Sequence, residues 1–225
     1  MSERLDVLCF IDTLCVFCYV ADARFKQVRT DFAGKVDMSY HFISVYGDVR
    51  RRLDRSGKSD AEYGANVRDI GDRFDHVQIH PDIFRKSVPS SSMPSHLYLR
   101  AVKLMEDTGR LEAGDGESPF LRMMWEVRQA FFRDLVDISK REQLDMIAER
   151  LGIPVDDVHE EISSGRAYAE LSHDAELQRE HKVPVSPSLV LNEGRQLLNG
   201  NVGYRVIEAN IRELLNKRHD EMSWC

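Results

Sequence analysis

The pattern of apolar positions changes period twice near the start of the chain. Leu5–Ile11 is a short, almost continuous apolar run, the signature of a strand buried on both faces of a parallel sheet. Asp12-Thr13-Leu14 reads as a loop. Val16, Val20, Ala23, Phe25, Val28 and Phe32 then recur at helical spacing, and Gly34 supplies a stop. From Val36 to Tyr46 alternation returns with β-branched and aromatic residues, which predicts a second strand. Strand, helix and strand within about 45 residues make a βαβ unit, expected to be right-handed with parallel strands.

Gly47 to Asp75 is a polar stretch in which no element is predicted. His76–His80 reads as a short extended piece stopped by Pro81, and Pro89–Ser92 as a loop. Helical stripes then follow one another. Leu97, Ala101, Leu104 and Met105 form one that ends near Gly109; Phe120, Met123, Met124, Val127, Phe131, Leu135 and Val136 form a second. Ile138–Leu151 predicts a third helix, with Ser139 as cap, Glu142 at capping-box spacing and Gly152 after its end. Asp156–Gly165 and Ala167–Glu180 complete the block, which carries no second βαβ signal. Beyond Lys182 the strand pattern resumes. Ser188–Leu191 is apolar, Asn192-Glu193-Gly194 is a hairpin turn, Arg195–Leu198 pairs back, and Val202–Leu215 is a closing amphipathic helix. No internal repeat is seen.

Composition narrows the class. The chain has 225 residues, 42% hydrophobic and 31% charged, ordinary values for a globular protein with a buried core. The formal net charge is −7, which argues against a nucleic-acid partner, since that needs a basic face. Arg50-Arg51-Arg52 with Arg55 is the one dense basic run; Asp48, Asp54 and Asp60 surround it, so it reads as a solvated surface segment. No stretch approaches the roughly 18 apolar residues of a membrane span. The four cysteines, Cys9, Cys15, Cys18 and Cys225, are too few and too unevenly spread for a secreted disulfide scaffold. Met1–Asp6 lacks a basic and then apolar leader, so the expected location is the cytoplasm.

Cys15-Val16-Phe17-Cys18 carries the chemistry. It follows the first strand and opens the first helix, a context that turns a C-x-x-C into a redox signal. The first sulfur sits at a helix N-terminus, where free N–H groups and the helix dipole favour thiolate, the species that attacks disulfides. Cys15 is therefore the candidate nucleophile, exposed at the helix start. Cys18 lies one turn in, more buried but within bridging reach, as the resolving thiol. A metal reading needs two further ligands; His76-x-x-x-His80 has a usable spacing but lies on an apparent strand, so no metal site is assigned.

In element order the chain resembles the DsbA-like thiol–disulfide oxidoreductases, and most closely their cytoplasmic, FrnE-like branch. The resemblance rests on Phe10–Tyr19, on Val183-Pro184-Val185-Ser186-Pro187-Ser188-Leu189-Val190 and on Asn199-Gly200. Pro89–Ser91 through His96-Leu97 and Phe131-Phe132 through Asp137-Ile138 also carry it. It implies an α/β, thioredoxin-like fold with an α-helical insertion. Residues 1–75 and 176–225 would form a discontinuous thioredoxin-like domain and 76–175 the insertion. It further implies that Pro187 is cis and faces the cysteines, with Ser186 presenting its backbone to an extended substrate. Where family members often carry Pro followed by Trp or His between the cysteines, this chain has Val16 and Phe17. That apolar pair supplies no positive charge, so the resemblance does not imply a strong oxidant.

The expected partners are protein or small-molecule thiols and disulfides, with no nucleic acid and no membrane, as monomer or homodimer. No cofactor is expected, although glutathione is a candidate redox partner or co-substrate. The alternative reading is a glutathione-dependent transferase or isomerase. The kappa-class transferases and hydroxychromene-carboxylate isomerases resemble the same fold but typically place serine where Cys15 stands. Asp12, three residues before Cys15, reads either as a proton relay between the thiols and water or as a helix-capping loop carboxylate. Cys9 reads as an inert core residue and Cys225 as a free terminal thiol open to glutathionylation or intermolecular bridging. His96 reads as a helix-surface histidine, with a substrate-pocket role as the alternative. The Met and Phe stripe over residues 120–136 reads as core. Gly200-x-x-Gly203 is too short a pattern for a phosphate site.

Overall fold

The computed structural model describes residues 4–112 and 117–216. Strand β1 (Leu5–Ile11) and strand β2 (Val36–Phe42) are parallel, in register from Leu5 opposite Val36 to Ile11 opposite Phe42. Helix α1 (Val16–Asp31) crosses between them and ends before Gly34, whose φ of 73° is left-handed. Strand β3 (Ser188–Leu191) lies antiparallel to β1, and β4 (Gln196–Asn199) antiparallel to β3, giving the order β2-β1-β3-β4. The turn between them takes positive φ at Asn192, Glu193 and Gly194 in succession. Helix α9 (Tyr204–Leu215) closes the chain. This is a thioredoxin-like α/β fold, with the helical block inserted between β2 and β3.

Alternate residues of β1 point to opposite faces of the sheet, and both faces are covered. Val7, Cys9 and Ile11 pack with Val20, Phe25 and Val28 of α1 and with Ile207 and Ile211 of α9. Phe10 packs on the other face with Ile43, Val183 and Val190. The helices between β2 and β3 are α2 (Val49–Arg55), α3 (Asp60–Gly71), α4 (Met93–Asp107), α5 (Pro119–Phe132), α6 (Arg141–Arg150), α7 (Val155–Ser163) and α8 (Arg166–Glu180). Phe120, Met123, Met124, Val127 and Phe131 are all buried, so the stripe on α5 is core. A buried carboxylate ties the block to the sheet. Asp174 of α8 accepts hydrogen bonds from the Phe42 backbone N–H at the end of β2 (2.9 Å) and from Arg100 Nε of α4 (2.9 Å), and lies 2.9 Å from His41 Nδ1. Removing one member of such a group leaves uncompensated charge inside the protein.

The fold departs from the sequence expectations in four places. The polar stretch after Gly47 contains α2 and α3. Asp48 caps α2 through the Arg51 N–H, and a complete Ser59–Glu62 capping box starts α3. Strand β2 ends at Phe42 rather than running on to Tyr46, because the Tyr46 N–H is taken by the Asp12 carboxylate (2.8 Å). His76–His80 is irregular, and the His80 N–H bonds the last carbonyl of α5 (Phe132, 2.7 Å) instead of a strand. Ser139 does not cap α6: both its hydroxyl and its N–H bond Asp137 Oδ1 (2.5 and 3.0 Å), and the helix starts after Lys140 with no side-chain cap.

Helix α3 approaches the segment at Ile79–Phe84 through two glycines. A Cβ on Gly64 would stand 2.1 Å from the Ile83 carbonyl oxygen, and one on Gly71 would stand 2.3 Å from Ile79 Cγ1. Because a backbone oxygen cannot swing aside, Gly64→Ala is expected to push α3 outward and cost about 1–3 kcal/mol in urea unfolding. An unchanged midpoint would show that the approach is looser than described.

Candidate active site

The site forms where β1 leaves the sheet. Asp12 is fully buried, and a buried carboxylate is tolerated only when hydrogen bonds replace water. Its Oδ1 accepts from the Leu14 N–H (2.9 Å); its Oδ2 accepts from the Tyr46 N–H (2.8 Å) and the Ser92 hydroxyl (3.0 Å). The loop after β1, the segment after β2 and the start of α4 thus meet on one side chain. Thr13 adds to the clamp. Its N–H donates to His96 Nε2 (3.2 Å), and its hydroxyl donates to Ser95 Oγ (2.7 Å), which in turn donates to the Ser92 carbonyl (2.8 Å).

His96 is fully buried and stacks on Phe42 with centroids 4.8 Å apart. The expectation of a helix-surface histidine is therefore corrected: the first turn of α4 faces the core, and the ring fills the space behind the site. Accepting from Thr13 requires a lone pair on Nε2, which puts the ring proton on Nδ1. The 3.6 Å approach of Nε2 to Asp12 Oδ1 is then a contact between two acceptors, not an ion pair.

With the loop fixed, Cys15 becomes the N-cap residue of α1, extended at φ −83°, ψ 114°. Its backbone carbonyl accepts from the N–H groups of Cys18 (3.0 Å) and Tyr19 (3.1 Å). The thiol donates to the Ser186 carbonyl at 3.3 Å, across 171 positions of sequence. The Ser186–Pro187 peptide is cis. Cys15 is only 5% exposed, so the expected exposure at the helix start is corrected: the Ser186–Pro187 loop lies directly over it. Its sulfur nevertheless faces a groove, and Cys18 beneath it is fully buried.

The two sulfurs are driven apart in acidity. The Cys18 thiol donates to the Cys15 sulfur and lowers its pKa to about 7, against the opposing effect of burial; Ser186 and the Cys18 backbone N–H help. The Ser186 hydroxyl is buried with no partner in the thiol form, a donor held in reserve for the thiolate. Cys18 moves the other way, pushed well above the usual thiol range by burial and by its role as donor to Cys15. Burial also pushes the Cys9 thiol far up, consistent with a core residue. Cys225 lies outside the described residues.

The groove beside Cys15 has a volume of about 590 Å³. Val16, Phe17, Val67 and Ile70 make it apolar on the α1 and α3 sides, and Pro184, Val185 and Ser186 form the opposite lip. Phe17 and Val185 are exposed. Tyr46 and Tyr63 join hydroxyl to hydroxyl (2.6 Å) along one wall, and Arg52 lies 4.4 Å over the Tyr46 ring. The sequence reading missed Tyr46, Tyr63 and Arg52. Arg52 belongs to the basic run read as solvated surface, and one of its faces lines the site. Gly200 reaches the groove edge, whereas Gly203 is only the N-cap residue of α9. Among the described residues no three His, Cys, Asp or Glu side chains converge as metal ligands. His76 Nε2 instead bonds the Val20 carbonyl, and His80 Nδ1 accepts the Asp82 N–H. No described helix is long and apolar enough to cross a membrane.

The arrangement can form, hold and resolve a mixed disulfide. Comparison with known proteins places the fold. A family model described as thioredoxin matches residues 8–209. A probable DsbA oxidoreductase from Streptomyces coelicolor superposes with a TM-score of 0.73 at 17% identity, over 99% of this chain and 94% of that one. The cytosolic disulfide reductase DsbM from Pseudomonas aeruginosa, solved with glutathione, gives 0.63 at 17%, over 92% and 100%. A 2-hydroxychromene-2-carboxylate isomerase gives 0.62 at 15%, over 93% and 95%. At these identities the likeness establishes the fold. No curated protein sequence matches the chain.

An acidity of about 7 for Cys15 makes roughly half of it thiolate at neutral pH, against a few per cent for a free thiol. Alkylation of Cys15 by iodoacetamide should therefore rise with pH along a titration centred near 7. Cys18→Ala removes the donor, so its curve should move toward the ordinary thiol value and the rate at pH 7 should fall several-fold. Superimposable curves would show that the Cys18 thiol does not set the acidity.

Proposed function

The chain belongs to the thioredoxin family, and from that premise we propose that it is a thiol–disulfide oxidoreductase working through Cys15 and Cys18. One observation carries the reading: an acidified thiol at a helix N-terminus, touching the backbone of a cis-proline loop, with a second thiol under it. The Cys15 thiolate attacks one sulfur of a substrate disulfide. The new S–S bond forms as the old one breaks, and the leaving thiolate takes up a proton from water. Cys18 then gives up its proton and attacks the Cys15 sulfur, expelling the second substrate thiolate and closing the Cys15–Cys18 disulfide. Run in reverse, the disulfide form oxidises a substrate dithiol.

Ser186 and Pro187 take the role of substrate platform, aligning an extended segment beside the sulfurs, and the exposed Phe17 and Val185 suit an apolar substrate surface. Asp12 holds the loop before Cys15 in place. Residues 1–75 and 176–225 act as the redox domain and 76–175 as its helical cover. The substrates are protein or small-molecule thiols and disulfides, with glutathione as a candidate partner; a structural neighbour was solved with it. A cytoplasmic, FrnE-like role fits the cysteine usage of the chain, and the same neighbour is described as cytosolic. The similarity to an isomerase fold supports a second reading, in which Cys15 positions glutathione for a reaction without net redox change.

Exchange with a small disulfide separates the two. Cys15→Ser should abolish it, and Cys18→Ser should trap mixed disulfides that gel electrophoresis resolves without reductant. Parental rates in both variants would refute the oxidoreductase. A parent protein that holds one glutathione on Cys15 without resolving it would favour the isomerase.

A further inference from the structure

The groove at Cys15 does not end in apolar wall. Arg52, Ser56 and Lys58, from α2 and the turn after it, close one side. A second cleft of about 470 Å³ shares Val45, Arg52, Ser56 and Tyr63 with it and adds Arg51 and Arg55. On a chain of net charge −7, Arg52 and Lys58 therefore line the groove that holds the nucleophile, and Arg51 and Arg55 line the neighbouring cleft. Among the described residues Asp48 is the single carboxylate lining either cleft, and its Oδ1 is engaged by the Arg51 backbone N–H.

All four of these side chains are exposed. Arg50 bonds Asp54 and Asp60, as a solvated helix face would. Arg51, Arg52, Arg55 and Lys58 make no ion pair among the described residues. Arg52 is also pre-placed, its guanidinium held over the Tyr46 ring at the junction of the two clefts. A guanidinium in that position offers its fork of donors to a carboxylate. A local positive field along the groove also attracts anions to its mouth.

The geometry points to a substrate disulfide that carries a carboxylate, seated with one sulfur at Cys15 and its acid group on Arg52, with Lys58, Arg51 and Arg55 around it. This rests on the oxidoreductase reading and names the substrate class. The bond changes are those given above: two electrons pass from the Cys15–Cys18 dithiol to the substrate disulfide, which leaves as two thiols. The acid belongs either to a small thiol acid or to a glutamate beside a cystine in a peptide.

The test is single-turnover oxidation of the reduced protein, followed by acid quench and mass counting of free thiols. The probes are 3,3′-dithiodipropionate, 2-hydroxyethyl disulfide and cystamine, and a pair of short disulfide-linked peptides that differ only in Glu against Gln. Each rate is divided by that of a free model thiol. Acidic probes should be favoured over neutral ones by about five-fold or more at low salt, and the margin should shrink as salt rises. The double variant R52Q/K58Q should remove most of it. Iodoacetamide alkylation of Cys15, run in parallel, separates a change in the sulfur from a change in recognition. A preference confined to dithiodipropionate identifies a small thiol acid, and one confined to the Glu peptide identifies a peptide. No preference in either arm, or one that survives R52Q/K58Q, overturns the inference and leaves the redox reading standing. Failure of 2-hydroxyethyl disulfide to oxidise the pair at all overturns that reading and this inference with it.

Discussion

Everything at the site hangs on a carboxylate without access to water. Asp12 is fully buried and holds the Leu14 N–H, the Tyr46 N–H and the Ser92 hydroxyl at once. These partners come from the loop after β1, the segment after β2 and the turn before α4. A buried acid with three donors constrains its surroundings strongly, because any donor that leaves exposes it to an apolar interior. The consequence is a fixed loop ahead of Cys15, a β2 that stops at Phe42, and an α4 whose first turn carries Ser95 and His96 inward.

On that frame the two cysteines acquire different chemistry from almost the same place. Both are buried, and burial alone raises a thiol's pKa. Cys15 escapes because it receives the Cys18 hydrogen bond, with help from Ser186 and the Cys18 backbone N–H; Cys18 gives its bond away and lies deeper. The cis Ser186–Pro187 loop covers Cys15 without sealing it and leaves the groove as its opening. The helical block shapes the rest. Helix α3 closes in through Gly64 and Gly71, and Asp174 anchors α8 and α4 to the end of β2.

The βαβ unit, the cysteine pair at its turn and the terminal hairpin were legible because each has a short-range signature: a continuous apolar run, a fixed spacing, a glycine turn. Helices α2 and α3 were not. Both are rich in charge, and α3 carries two glycines that lower helix propensity for the sake of close packing. The Ser59–Glu62 box was the signal that would have found α3. The burial of His96 was hidden because its acceptor role depends on Thr13, 83 residues away. Arg52 looked like one cation in a solvated run; only the fold shows that the helix turns it toward the tyrosine wall of the groove while Arg50 faces the aspartates.

The central claim is that Cys15 and Cys18 are one redox couple. Equilibration of the protein in graded glutathione buffers, followed by acid trapping, alkylation and mass counting of the modified thiols, tests it directly. The structure predicts a cooperative transition that joins Cys15 and Cys18, with Cys9 protected throughout by burial. A pair that never joins at any ratio, or a transition in which Cys9 takes part, would contradict it.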